Sequence, residues 1–234
     1  MLIELAIGLG GAAAYSDTLS AEVSRARVRV ESFFEQPFPE PFDVQVFDHR
    51  ADMDRALPAA WGIPETPCFA VGLGYADAIF LLHPDAWAEE ACDHDPADED
   101  ATLNLVAHEI THVFHGQMNP TRDFTGAEEL SWFIEGIAVL ASGQLDDTRL
   151  DQARAVVTGP DSDITFGSLW SGRHRYALSG SMVAYLDHAY GRATLVALLD
   201  NTTMAETIAE LGDGPDTLLD GWARWLTDSH AGAE

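Results

Sequence analysis

The stretch A-T-L-N-L-V-A-H-E-I-T-H-V-F-H-G-Q, Ala101 to Gln117, governs how the rest of the chain is read, because it holds H-E-x-x-H as His108, Glu109 and His112. On an α-helix a four-residue step turns about 400°, so His108 and His112 stand one turn apart on one face, where two imidazoles can bind a single zinc ion. Glu109 is turned about 100° from His108 and flanks such a metal, the place for a carboxylate that takes a proton from an activated water. Leu103, Val106, Ile110 and Val113 repeat at helical spacing on a different side and predict a helix anchored by one face and carrying ligands on another. The plain alternative is two ordinary helical histidines with a helix-forming glutamate, and the neighbouring sequence decides between them.

Immediately upstream, Asp93 to Asp100 reads D-H-D-P-A-D-E-D. Its last acids are expected to cap the positive N-terminus of the helix. A calcium loop is disfavoured, since the glycine and the spaced final glutamate of an EF-hand are missing. Downstream, Thr125 and Glu128 form a T-x-x-E capping box, which predicts a second helix from there to about Ser142, closed by Gly143. That helix carries Glu135 as the one acid in the apolar run Trp132 to Ala138. A buried carboxylate needs a cation or a metal, and Gly136 and Ala138 allow the close helix approach that Glu135 would need to reach one.

Before these helices, residues Ser16 to Phe34 predict an amphipathic helix with Leu19, Val23, Val28 and Phe33 or Phe34 as its inner side. Val44 to Phe47 alternates like a strand, and a short helix is expected around Ala51 to Leu57. Phe69 to Leu73 and Ala78 to Leu82 are strand-length apolar runs joined through Gly74-Tyr75-Ala76-Asp77, suggesting neighbouring strands. After them everything reads as helix: Leu145 to Val157, Tyr176 to Tyr190, Ala193 to Asp200, Met204 to Leu211 and Pro215 to Ser229. The expected class is α+β, one catalytic domain built from a small mixed sheet lobe with the motif helix, 1–120, and an all-helical lobe, 121–234.

With 39 acidic against 12 basic residues the 234-residue chain carries a formal charge of −27, which makes nucleic acid and anionic membranes poor partners. All basic residues are arginine. No run reaches the length of a membrane span, and the start lacks the basic region of a signal peptide, so a cytoplasmic location is expected, although the apolar run Leu5 to Ala14 leaves secretion open. Cys68 and Cys92 have no spacing that argues for pairing and read as buried thiols.

Three blocks resemble the gluzincin metallopeptidases, the thermolysin-like and aminopeptidase N-like clan, and most closely small proteins with a peptidase MA-like domain: V-A-H-E-I-T-H-V-F-H-G-Q at Val106 to Gln117, W-F-I-E-G-I-A at Trp132 to Ala138, and Y-A-L-S-G-S-M-V-A-Y-L-D-H-A-Y-G at Tyr176 to Gly191. The resemblance implies a thermolysin-like zincin fold with one Zn²⁺ per chain on His108, His112 and Glu135, Glu109 as general base and Tyr176 as the oxyanion donor. It further implies an endopeptidase acting on peptide or unfolded protein, and one strand, Ala78 to Leu82, pairing with extended substrate. This chain departs from the family in three ways. Glu135 follows His112 after 22 intervening residues, position 139 is valine where the thermolysin type has an acid, and no G-x-M-E-N exopeptidase motif occurs. His115 lies a further turn from the ligand pair and reads as a packing or rim residue; His174, between Arg173 and Arg175, reads as a surface histidine that is next in line for the oxyanion role. The rival from another class is a catalytically silent zinc protein that braces helices or binds peptide as an adaptor, for which the intact Glu109 has no use.

Overall fold

A computed structural model describes residues 5–7, 15–160 and 163–228. The chain divides into two units, Met1–Gln117 and Met118–Glu234. The elements of the first are β1 (Leu5–Ile7), α1 (Tyr15–Phe34), β2 (Asp43–Phe47), α2 (Arg50–Ala56), β3 (Gly72–Tyr75), β4 (Ala78–Leu82), α3 (Pro84–Glu90) and α4 (Glu99–Met118). Those of the second are α5 (Ser131–Ser142), α6 (Asp147–Val157), α7 (Phe166–Leu169), α8 (Arg175–Tyr190), α9 (Arg192–Leu198), α10 (Met204–Leu211) and α11 (Pro215–Asp228). The α+β expectation holds in this coarse form: a mixed sheet lies in the first unit, and the described elements of the second are helical.

The sheet order is β1-β2-β4-β3, with β1, β2 and β4 parallel and β3 antiparallel at the edge. β1 forms from part of the apolar run Leu5 to Ala14; 8–14 of that run and Ser229, the expected end of the last helix, lie outside the described residues. β4 is buried along its whole length, because it has a strand on either side. That corrects the expectation that Ala78 to Leu82 receives substrate, since both of its hydrogen-bonding edges are already used. The edge beside β4 is β3, and it starts at Gly72, not Phe69; the turn shortens to Ala76-Asp77.

Strand alternation sorts the side chains. Tyr75, Phe80 and Phe47 share one face, where Tyr75 and Phe80 stack at 5.9 Å between ring centres and Trp61 meets Tyr75 edge-on at 5.0 Å. Val44, Ile79 and Leu81, all buried, share the other with Gly72 and Gly74, and this face receives α4. α4 is held on another side by α1, where Phe34 stacks on Phe114 at 4.3 Å and Phe38 closes on the same ring at 5.2 Å. The inner side of α1 runs Leu19, Val23, Ala26, Val30, Phe34; Val28, expected inside, is 60 % exposed.

Cys68 and Cys92 are joined in a disulfide with 5.3 Å between their Cα atoms, and neither is buried, so the buried-thiol expectation is overturned. The pairing arises because the turn before β3 comes alongside the segment after α3, where the Cys92 N–H also donates to the Cys68 carbonyl at 3.1 Å. No helix among the described residues is long and apolar enough to cross a membrane.

Within the second unit, α5 and α8 are the central pair. A Cβ on Gly136 would meet the Ser179 carbonyl at 2.5 Å, and one on Gly180 would meet Val139 Cγ1 at 2.6 Å, so each helix offers the other a glycine. Val139 therefore serves packing. The start of α5 differs from expectation: Glu128 accepts from the Gly126 N–H, a short 3₁₀ turn spans Glu128–Leu130, and the α-helix begins only at Ser131. Gly126, at φ 83°, breaks the frame that a capping box on Thr125 would need. Gly143 ends the helix in the left-handed conformation, as expected.

Candidate metal centre

α4 begins where the Asp98 carboxylate accepts the Ala101 N–H at 2.9 Å, with the Thr102 hydroxyl donating to the Asp98 carbonyl; the expected acidic cap is Asp98. Leu103, Val106, Ile110 and Val113 are all buried as expected, but Leu105, Ala107, Thr111 and Phe114 are buried too, so α4 is enclosed on most sides and not anchored by one face alone. His108 and His112 are 6 % and 7 % exposed, with ring centres 4.8 Å apart and planes at 81°. Glu135 projects from α5 and is partly exposed. The structure brings the three together: one ligand atom from each of His108, His112 and Glu135 lies within 4.8 Å of the others.

Glu109 is part-exposed and lies under β3. A Cβ built on Gly72 would stand 2.7 Å from Glu109 Cγ and 3.2 Å from its carboxyl carbon, and one on Gly74 would stand 2.1 Å from the Glu109 main-chain oxygen. The edge strand thus passes directly over the residue read as the base. Its hydrogen-bond parity is set by Leu82 N–H donating to the Val71 carbonyl at 2.9 Å, which makes Val71 and Leu82 a bonded pair. Leu73–Phe80 and Tyr75–Ala78 are then the next bonded pairs, and the N–H and C=O of Gly72 and Gly74 point to the outer edge. The sequence reading missed β3 as the edge because it placed Gly74 in the turn. Two glycines at alternate positions of one strand face were the available signal of close backbone approach.

Tyr176 is the second residue of α8, half-buried, edge-on to Trp170 at 4.9 Å with the Arg175 guanidinium 5.3 Å from its ring centre. Along α8, Leu178, Met182 and Leu186 are buried, while Ala189 is exposed. His115 is 1 % exposed and lies outside the ligand cluster, a packing residue and not a rim one. His174, half-buried, precedes α8 with Nδ1 3.5 Å from Gln152 Oε1.

One further network braces the β3 approach. The Arg50 guanidinium donates to Thr66 Oγ1 at 2.8 Å and to the carbonyls of Pro67, Cys68, Ala70 and Glu90 at 2.7–3.1 Å. His94 Nε2 lies 2.8 Å from the Phe69 carbonyl. The loop leading into the edge strand is therefore tied by a covalent bridge and by several charge-assisted hydrogen bonds.

No family model, no curated protein and no solved structure matches the chain.

Proposed function

We propose that the protein is a zinc-dependent endopeptidase of gluzincin type. The observation that carries this reading is the donor set itself, two buried imidazoles one helical turn apart and a carboxylate, within 4.8 Å of one another, with Glu109 next to His108 in the sequence of the same helix. Zinc bonds of about 2.0–2.2 Å put tetrahedral donors roughly 3.3–3.6 Å apart, so these side chains would draw in by about 1 Å around one ion, and His₂Glu is a catalytic set that leaves a position open. Bound there, zinc supplies Lewis acidity toward a carbonyl oxygen and lowers the pKa of water to about 7.

The protein's own groups divide the remaining work. The Glu109 carboxylate holds the proton taken from the attacking water and passes it to the leaving amine nitrogen. The outward main-chain groups of Gly72 and Gly74 offer an extended peptide a strand to pair with, directly above Glu109, which supports a polypeptide substrate. Tyr176 is the proposed donor to the developing oxyanion.

Glu109→Gln tests the reading. It removes a proton acceptor without touching the ligand set, so zinc content and melting temperature should hold while hydrolysis of an unfolded casein-like substrate falls by about 10²–10⁴. Wild type and variant that bind zinc and are equally inert over a broad peptide library would instead describe a zinc-binding adaptor.

A further inference from the structure

β3 and α4 meet more closely than a strand and a helix ordinarily do. Strand and helix main chains are usually kept apart by the side chains between them. Here two of those side chains are missing, at Gly72 and Gly74, and both vacancies face one residue, Glu109. They are not equivalent. At Gly74 the nearest obstacle to a Cβ is the Glu109 main chain, oxygen at 2.1 Å and carbon at 2.9 Å, so this glycine sets the distance between strand and helix. At Gly72 the nearest obstacles are the Glu109 side chain, Cγ at 2.7 Å and Cδ at 3.2 Å, with Leu81 Cδ2 at 3.1 Å on the far side.

We propose that Gly72 is a positioning residue that sets where the Glu109 carboxylate lies. The hydrogen atom at position 72 makes the ceiling under which the Glu109 methylenes pass. Leu81 is 3 % exposed and closes the other side, so a methyl group at 72 cannot be accommodated by that neighbour. The part-exposed Glu109 side chain is what yields, and Cγ must withdraw by several tenths of an ångström, carrying the carboxylate with it. The role in catalysis rests on the peptidase reading given above; the steric relation between Gly72 and Glu109 does not.

A double-mutant cycle in the metal-free protein tests the steric relation, and steady-state kinetics of the zinc-loaded protein tests its consequence. Gly72→Ala should lower the melting temperature by about 3–8 °C, the range expected for one overpacked methyl group in a chain of this size. In a Glu109→Ala background, where Cγ and Cδ are gone, the same substitution should cost little or nothing. Gly74→Ala should cost as much with Glu109→Ala as without it, because the atoms in its way are main-chain atoms. In the zinc-loaded protein, Gly72→Ala should keep its metal content and its KM within about twofold while kcat falls roughly 10–100-fold, since misplacing a reacting group by less than 1 Å is enough for such a loss. If Gly72→Ala does not fold alone, recovery of folding in the Gly72→Ala/Glu109→Ala protein supports the inference and its failure overturns it. Wild-type kcat in Gly72→Ala, a thermal cost undiminished by Glu109→Ala, or equal relief of both glycine variants would each overturn it. A wild-type protein that neither holds zinc nor cleaves peptide would remove the peptidase reading, and the thermal cycle would still decide whether Gly72 places Glu109.

Discussion

Gly136 and Ser179 bring α5 and α8 into main-chain contact: a Cβ at 136 would stand 2.5 Å from the Ser179 carbonyl oxygen and 2.7 Å from Val183 Cγ2. The residue before Gly136 is Glu135, so the seating of this helix pair and the placing of a candidate ligand are one problem. Gly136→Ala has no flexible neighbour to displace at the carbonyl, and about 1–3 kcal/mol of overpacking is expected. Thermal denaturation followed by circular dichroism should show the loss, and a zinc titration should show weakened binding. A variant with unchanged melting temperature would mean that α8 can withdraw at no cost.

Arg50 gives a second expectation. Its guanidinium serves Thr66 Oγ1 and four carbonyls, and its own N–H donates to the Glu90 carboxylate. Arg50→Ala leaves several part-buried acceptors unfilled, at a cost on the order of 2–4 kcal/mol by urea denaturation. Arg50→Lys supplies a single ammonium in place of a planar fork and should recover less than half of that. Full recovery by lysine would show that charge, and not the fan of donors, holds the loop.

The parts of this structure that were legible in the sequence are those decided within one helix. Leu103, Val106, Ile110 and Val113 are buried as their local spacing predicts, although the helix is enclosed well beyond that stripe, and Glu135 stands out because an acid in an apolar run is costly wherever the helix packs. What failed depends on distant chain. Val28 looked like a core residue by type, but the stripe passes through Ala26 and Val30, and only the partner helix chooses between them. Strand order is set by tertiary pairing, so the apolar Ala78 to Leu82 drew the eye when the glycine-bearing strand beside it is the edge. Cys68 and Cys92, 24 residues apart in sequence, pair because α3 returns the chain to the turn before β3, a path no local pattern records.

The same bridge closes a loop of a size for which chain-entropy arguments give roughly 3–4 kcal/mol of stabilisation. Native protein should present no reactive thiol to a colorimetric reagent. Cys68→Ser/Cys92→Ser should unfold at lower urea concentration. Two titratable thiols in the folded wild type would contradict the pairing.

His49 and Glu90 predict a pH-dependent increment. The hydrogen bond between them, 2.9 Å from Nδ1 to Oε1, raises the imidazole pKa above 6.5, with Asp52 and Asp48 adding to the effect. The same hydrogen bond, and that from the Arg50 N–H, lower the Glu90 pKa below 4.5. The histidine contribution is complete below 6.5 and fades as pH rises through the raised value. The glutamate contribution is complete above 4.5 and fades as pH falls through the lowered one. The difference in melting temperature between wild type and His49→Gln should therefore peak between those limits and shrink on either side. Solvent and salt screen this exposed pair, so the peak should be small and should flatten as ionic strength rises. A difference constant across pH would show that the imidazole pKa is the same folded and unfolded, so that the pairing with Glu90 does not favour its charged form.

Zinc itself gives the most direct measurement. Elemental analysis of protein dialysed against trace zinc should return about one ion per chain for wild type and almost none for His112→Ala, because losing one of three donors leaves too few to retain the metal against dialysis. A ligand bound only by the folded state adds about 2.7 kcal/mol of stability at a free concentration a hundred times its dissociation constant. Wild type should melt several degrees lower after chelation and recover on adding zinc, whereas His112→Ala should show the low melting temperature in both conditions. Glu135→Gln separates the carboxylate from the imidazoles: it keeps the volume of the side chain and weakens the donor, so zinc should be bound but released at lower chelator concentration. Equal metal content in wild type and His112→Ala would place the zinc elsewhere, and the function proposed for His108, His112 and Glu135 would have to be abandoned.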